Sequence, residues 1–156
     1  MSASPSEKMV GRIVGLWRYP VKSMGAEAME SVEVSWCGVA GDRRWAFCRP
    51  GVTGSPFPWL TIRDRVDMSR FIPVLTHPSR LDLSPTLVRT PSGDEFDVGD
   101  PALAAELHPD GATVIRQGRG IFDAFPLSLI TVQTIERVGE LIGTPLDVQR
   151  FRPNLL

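Results

Sequence analysis

Breakers punctuate this chain too often for long regular elements. Glycine and proline occur 14 times each in 156 residues, roughly 18% of the chain where ~12% is usual. Such a sequence favours many short elements joined by turns over extended helices. Val10–Trp17 alternates loosely around Ile13, Val14 and Leu16 and reads as a strand, ended by Pro20, which removes a ladder donor. Glu30–Ser35 alternates with Val32 and Val34 on one face, and Arg44–Arg49 with Trp45 and Phe47 on one face. These strands follow one another with no room for crossover helices, so the sheet is expected to be antiparallel or barrel-like.

Further on, Pro50–Pro58 is a loop, and Trp59–Ile62 is a short strand candidate. Arg63–Ser69 and the breaker-rich Pro73–Pro85 give no firm element. Thr86–Arg89 and Glu95–Val98 flank Pro91-Ser92-Gly93-Asp94, a hairpin turn in composition. Asp100 caps a helix over Ala102–Leu107 with Pro101 in its first position and Pro109 beyond it. A second helix runs from about Val132 to Ile142, between Thr131 as cap and Gly143 as C-terminal glycine; Val132, Ile135, Val138, Leu141 and Ile142 form its apolar stripe. Ala112–Arg116 and Pro126–Ile130 read as strands. The expected class is β-rich α+β.

The formal net charge is −1 and the sequence pI about 6.1, which argues against nonspecific nucleic-acid binding, since that requires a basic excess. Two cysteines, Cys37 and Cys48, are too few for a disulfide framework and read as small core residues. Met1–Lys8 has no apolar signal region behind it, and no segment approaches the ~18 apolar residues of a membrane span. A cytoplasmic location with no membrane partner is expected.

Three basic positions sit at strand ends beside turns: Lys22 with Ser23, Arg43 after Gly41-Asp42, and Arg63. There they could converge on an anion, lysine as a point charge, arginine as a planar fork and serine as a hydroxyl and backbone donor. The plain alternative is ordinary solvated surface charge. His77 and His108 precede prolines and have no zinc-ligand spacing around them. There is no glycine-rich phosphate loop and no nucleophile elbow. The terminal run Arg150-Phe151-Arg152-Pro153-Asn154-Leu155-Leu156 ends on apolar residues and reads as the opening of a buried strand.

Leu16-Trp17-Arg18-Tyr19-Pro20-Val21-Lys22-Ser23-Met24 followed by Gly38-Val39-Ala40-Gly41-Asp42-Arg43-Arg44-Trp45 resembles the N-terminal β-barrel domain of MOSC proteins. Phe122-Asp123-Ala124-Phe125-Pro126-Leu127-Ser128-Leu129-Ile130-Thr131, then Arg150-Phe151-Arg152-Pro153-Asn154-Leu155, resembles the beginning of the MOSC domain itself. The family includes bacterial YcbX-like proteins, the mitochondrial amidoxime-reducing component and the molybdenum-cofactor sulfurases. The resemblance implies a barrel-like domain over residues 9–118 and the incomplete start of a second barrel over 119–156.

It also implies a molybdenum cofactor (molybdopterin), with Lys22, Ser23, Arg43, Arg152 and Asn154 as cofactor-binding residues and Arg63 undecided. Pyridoxal phosphate is a second phosphate-bearing cofactor associated with the family. Where some relatives have a Thr-Ser pair, this chain has Ala124 and Phe125, so those contacts do not carry over. The family's metal-ligating cysteine lies downstream of the F-R-P-N motif, and neither Cys37 nor Cys48 matches it, so no metal ligand is assigned. The implied parent activity is an oxidoreductase acting on N-hydroxylated or related substrates with electrons from a partner protein, this chain alone being inactive. The alternatives are a non-catalytic module for an anionic cofactor or partner, and a sulfur-carrier role. An incomplete second domain implies self-association through Leu155-Leu156 and the Val132–Ile142 stripe.

Overall fold

Side chains that alternate in and out of a core make most of the longer strands here, and backbone pairing between distant segments makes the rest. The computed structural model describes residues 9–77, 80–81 and 84–156; Met1–Lys8 and parts of the Pro73–Pro85 stretch lie outside them. The strands are β1 (Trp17–Arg18), β2 (Glu27–Ala28), β3 (Val34–Ser35), β4 (Gly38–Val39), β5 (Trp45–Cys48), β6 (Ile72–Leu75), β7 (Thr86–Arg89), β8 (Glu95–Asp97) and β9 (Thr113–Arg116). They pair antiparallel as β1–β2, β3–β4, β5–β9 and β6–β7–β8. The described residues therefore form a β-rich α+β fold of small sheets, without a closed barrel ladder.

Strand β6 alternates exposed and buried residues, and Pro73 faces inward opposite Val88. Proline is tolerated there because β6 lies at the edge of its sheet. The β7–β8 turn forms as its composition predicts: Gly93 has φ +99°, and its N–H donates to Thr90 O at 3.0 Å. Helix α1 (Pro101–Leu107) is capped by the Asp100 side chain, which accepts from Ala102 N at 2.8 Å. Helix α2 (Val132–Ile142) has Thr131 as its cap and ends at Gly143 in the left-handed conformation.

The core gathers Val21, Met24, Phe47, Leu60, Met68, Phe71, Val88 and Val98 with Leu103 and Leu107 of α1. Val21 and Met24, both fully buried, stand on either side of Lys22-Ser23, so the core fixes that dipeptide from both ends. Residues 119–156 contribute α2, a 3-10 turn at Val148–Arg150 and a final extended stretch. Leu155 bridges both Leu16 and Leu129. Val14 N donates to Leu156 O at 2.8 Å, and Leu156 N donates to Gly15 O at 3.0 Å.

Several expectations need correction. Val10–Trp17 is not a strand along its length; its backbone pairs from Val14 onward, with the distant Leu155 and Leu156 and then, through Trp17–Arg18, with Glu27–Ala28. Glu30–Ser35 reduces to Val34–Ser35, the exposed strand of a hairpin whose other strand, Gly38–Val39, is buried. Trp59–Ile62 and Pro126–Ile130 contribute single bridges at Trp59 and Leu129. Arg63–Ser69 holds a 3-10 helix at Val66–Arg70, fixed by the buried Met68. Cys37 is exposed and Cys48 half-buried, so Cys37 is not a core residue. In α2 only Ile135 of the apolar stripe is buried, while Leu141 and Ile142 face outward. Leu155 and Leu156 pair within the chain, with Leu16 and Leu129 and with Val14 and Gly15.

Candidate anion-binding site

Three sequence-distant motifs converge at one place. Tyr19–Lys22 runs beside Arg43–Trp45: Arg43 N donates to Tyr19 O (2.6 Å), Trp45 N to Pro20 O (3.1 Å) and Lys22 N to Trp45 O (2.8 Å). The third motif arrives from the chain's other end, where Trp17 N donates to Asn154 O at 2.9 Å and the Tyr19 hydroxyl lies 3.1 Å from Pro153 O.

Ser23 (φ +67°), Arg43 (+48°) and Arg152 (+52°) are the non-glycine residues with positive φ among the described residues. Left-handed backbone costs an L-residue about 1–2 kcal/mol, so such positions persist only where their surroundings impose them, and they cluster at functional sites. All three belong to the five residues that the resemblance marks for cofactor binding.

Lys22 is not a solvated surface charge. It is 5% exposed, with Nζ 2.8 Å from Asp123 Oδ1 and 3.4 Å from Ile121 O. Asp42 is buried beneath Arg43; it accepts from Tyr19 N at 2.7 Å and pairs with the Arg43 guanidinium. Burial pushes its carboxyl above the usual range, and Arg43 together with the Tyr19 amide pulls it only part of the way back. Arg43 Nη2 donates to Arg152 O at 3.3 Å. Arg152 Nη1 donates to Met24 O, and both guanidiniums lie over the Tyr19 ring, at 4.4 Å for Arg152 and 4.9 Å for Arg43.

Burial, and secondarily the like charge of Arg43, lowers the Arg152 pKa to about 10. Its Nη2 is buried without a hydrogen-bond partner, as is Arg49 Nε. Both residues line one cavity of about 540 Å³, together with Ser23, Trp59, Arg63 and Asp123. Arg63, left undecided by the sequence, therefore shares a wall with Ser23 and Arg152, while its own side chain remains exposed. Arg43 opens instead into a neighbouring cavity of about 390 Å³, whose lining also includes Asp123.

Asn154 is buried but does not face either cavity. Its Oδ1 accepts from Ser128 N and its Nδ2 donates to Trp17 O, each at 3.1 Å. The amide that a pterin edge would require is thus spent on joining the terminal motif to two other segments. Sequence reading missed Asp42, Arg49, Trp59 and Asp123. Asp42 lies within the quoted G-D-R motif, but only its burial marks its role; Asp123 carries no sequence signal of its own.

The site presents cationic and N–H donors to an anion. No cluster of three His, Cys, Asp or Glu suited to a metal occurs among the described residues, and neither cysteine lines the larger cavity. Among the described residues, no helix is long and apolar enough to cross a membrane.

Tyr19, the chain's single tyrosine, gives a direct readout of this packing. Burial raises its pKa to about 12, with Arg152 and Arg43 pulling against that rise. The stability its neutral phenol supplies is complete below pH ~10 and is lost as pH rises from ~10 through ~12. The tyrosinate absorbance near 295 nm should accordingly titrate about two pH units higher in the native chain than in urea. A native midpoint near 10 would contradict the buried stacking. Absorbance isolates this group from Arg152, whose depressed guanidinium acts in the opposite sense over the same range.

These features define a β-rich α+β protein with a buried basic cradle. The family model for the MOSC N-terminal beta barrel domain matches residues 10–97, and the chain belongs to the MOSC family. No curated protein and no solved structure matches it.

Proposed function

We propose that this chain holds the phosphate-bearing end of a molybdenum cofactor. The observation that carries the reading is Arg152: a buried guanidinium with a lowered pKa, an unpartnered Nη2 and a left-handed backbone, at the wall of a cavity where Arg49, Arg63 and Arg152 outnumber Asp64 and Asp123. A phosphate oxygen at Nη2 would satisfy that donor and restore the charge that burial disfavours. Ser23 and Arg63 line the same cavity, and Lys22 lies next to it through Asp123.

The donor set fits a phosphate tail, and Trp59 adds an aromatic surface for a planar ring. When bound, the cofactor would supply oxygen-atom removal from an N-hydroxylated or related substrate, with electrons from a partner protein. The chain's own residues bind and orient the anion. The second reading, a non-catalytic module for an anionic cofactor or partner, draws support from the absence of a thiol in the cavity lining.

Calorimetric titration with a pterin carrying a phosphomonoester tests the shared claim. One saturable site is expected in the wild type, weakened at least about 100-fold in Lys22→Ala with Arg43→Ala, since each charged contact contributes ~1.5–3 kcal/mol. Equal affinity in a double variant that retains a cooperative melt would sink the anion-site reading.

A further inference from the structure

We propose that Asp123 is a displaceable internal anion: its carboxylate occupies Lys22 until a doubly charged phosphate group takes its place, and its departure joins the two cavities into one. The inference rests on the anion-site reading above and adds what controls entry to that site.

The ion pair is asymmetric. The Lys22 side chain is 6% exposed and the Asp123 side chain 70% exposed, with 2.8 Å between Nζ and Oδ1. Lys22 is fixed, because Val21 and Met24 are buried on either side and Ser23 is locked in the left-handed region. Among the described residues, Lys22 is also the one hydrogen-bond partner of the Asp123 carboxylate. Residues 122–125 carry no ladder pairing, and Ala124 and Phe125 beside Asp123 are exposed. Swinging away would return this carboxylate to water, where its charge is readily solvated, and an exposed partner of this kind holds its cation only weakly.

What lies on either side gives the exchange a direction. Asp123 lines both the cavity that holds Ser23, Arg63 and Arg152 and the cavity that holds Arg43. It therefore forms part of the wall of each, while Arg43 and Arg152 meet directly, Arg43 Nη2 donating to Arg152 O at 3.3 Å. A monoanion replacing it would exchange one negative charge for another. A phosphate dianion would meet Lys22 and also supply an acceptor to a buried donor that now has none. Asp123 thereby selects for dianionic phosphate groups over monoanions, and its displacement opens a continuous space for the organic body attached to such a group.

The test uses inorganic phosphate and nitrate as probes, titrated against the wild type, Asp123→Asn and Lys22→Ala at pH 8. Without phosphate, Asp123→Asn should melt lower than the wild type because Lys22 is left unpaired, and phosphate should restore its stability. Its phosphate affinity should rise about five- to tenfold and its preference for phosphate over nitrate should shrink. Equal phosphate affinity in the wild type and Asp123→Asn, with binding lost in Lys22→Ala, would overturn the displacement while leaving the anion site standing. No phosphate binding in either the wild type or Asp123→Asn would overturn both. Binding by Asp123→Asn alone would also overturn the displacement, since phosphate would then fail to dislodge the carboxylate, while the anion site itself would stand.

Discussion

Asp42→Ala should cost this chain about 2–4 kcal/mol of folding stability in urea titration. Asp42 is 1% exposed and serves two segments at once, accepting from Tyr19 N at 2.7 Å and pairing with Arg43. Alanine would leave a buried backbone donor unsatisfied and an arginine without its counter-charge. The cost falls short of that for a fully buried pair because the Arg43 side chain is 15% exposed and reaches water. Asp42→Asn keeps an acceptor for Tyr19 N and should lose roughly half as much. A loss below ~1 kcal/mol for Asp42→Ala would mean that the cradle does not depend on this carboxylate.

Asn154→Ala should also destabilise by about 2–4 kcal/mol, for a different reason. Its amide crosses between Ser128 N and Trp17 O, and its backbone pairs with both segments: Asn154 N donates to Ser128 O at 2.8 Å and Trp17 N to Asn154 O at 2.9 Å. Removing the side chain orphans one part-buried donor and one part-buried acceptor while the main-chain bonds remain. Phosphate affinity, measured at a temperature where the variant is folded, should stay within about threefold of wild type, because the amide does not line the cavity. A small stability loss joined to a large loss of phosphate binding would place the amide on the ligand instead.

Local chemistry made some elements legible in the sequence, and non-local pairing hid others. Both α-helices were readable because Asp100-Pro101, Thr131 and Gly143 are capping signals that act within a few residues. The β7–β8 hairpin was readable from its turn. Strand β6 was not, because Pro73 reads as a breaker unless the edge position of its strand is known. Strands β1 to β4 have two residues each, too few for a period of two to show.

The same division runs through the site. Lys22, Ser23, Arg43 and Arg152 could be chosen from motif order, and the backbone of three of them carries the left-handed signature of imposed geometry. The burial of Lys22 could not be read, since an isolated lysine at a strand end looks solvated. Asp42 and Asp123 matter through what they face, which composition does not encode. Asn154 was assigned through its motif to a ligand, whereas its amide joins Trp17 to Ser128 across sequence separations of 137 and 26 residues.

The central claim is that the unpartnered donor of Arg152 and its basic neighbours form a phosphate site. A crystal grown with arsenate, a phosphate isostere visible by anomalous scattering, tests it most directly. An arsenic peak is expected within hydrogen-bond distance of Arg152 Nη2, in the cavity walled by Ser23 and Arg63, with the Asp123 carboxylate no longer on Lys22 Nζ. An empty cavity at saturating arsenate, with the Lys22–Asp123 pair intact and Arg152 Nη2 still without a partner, would contradict it.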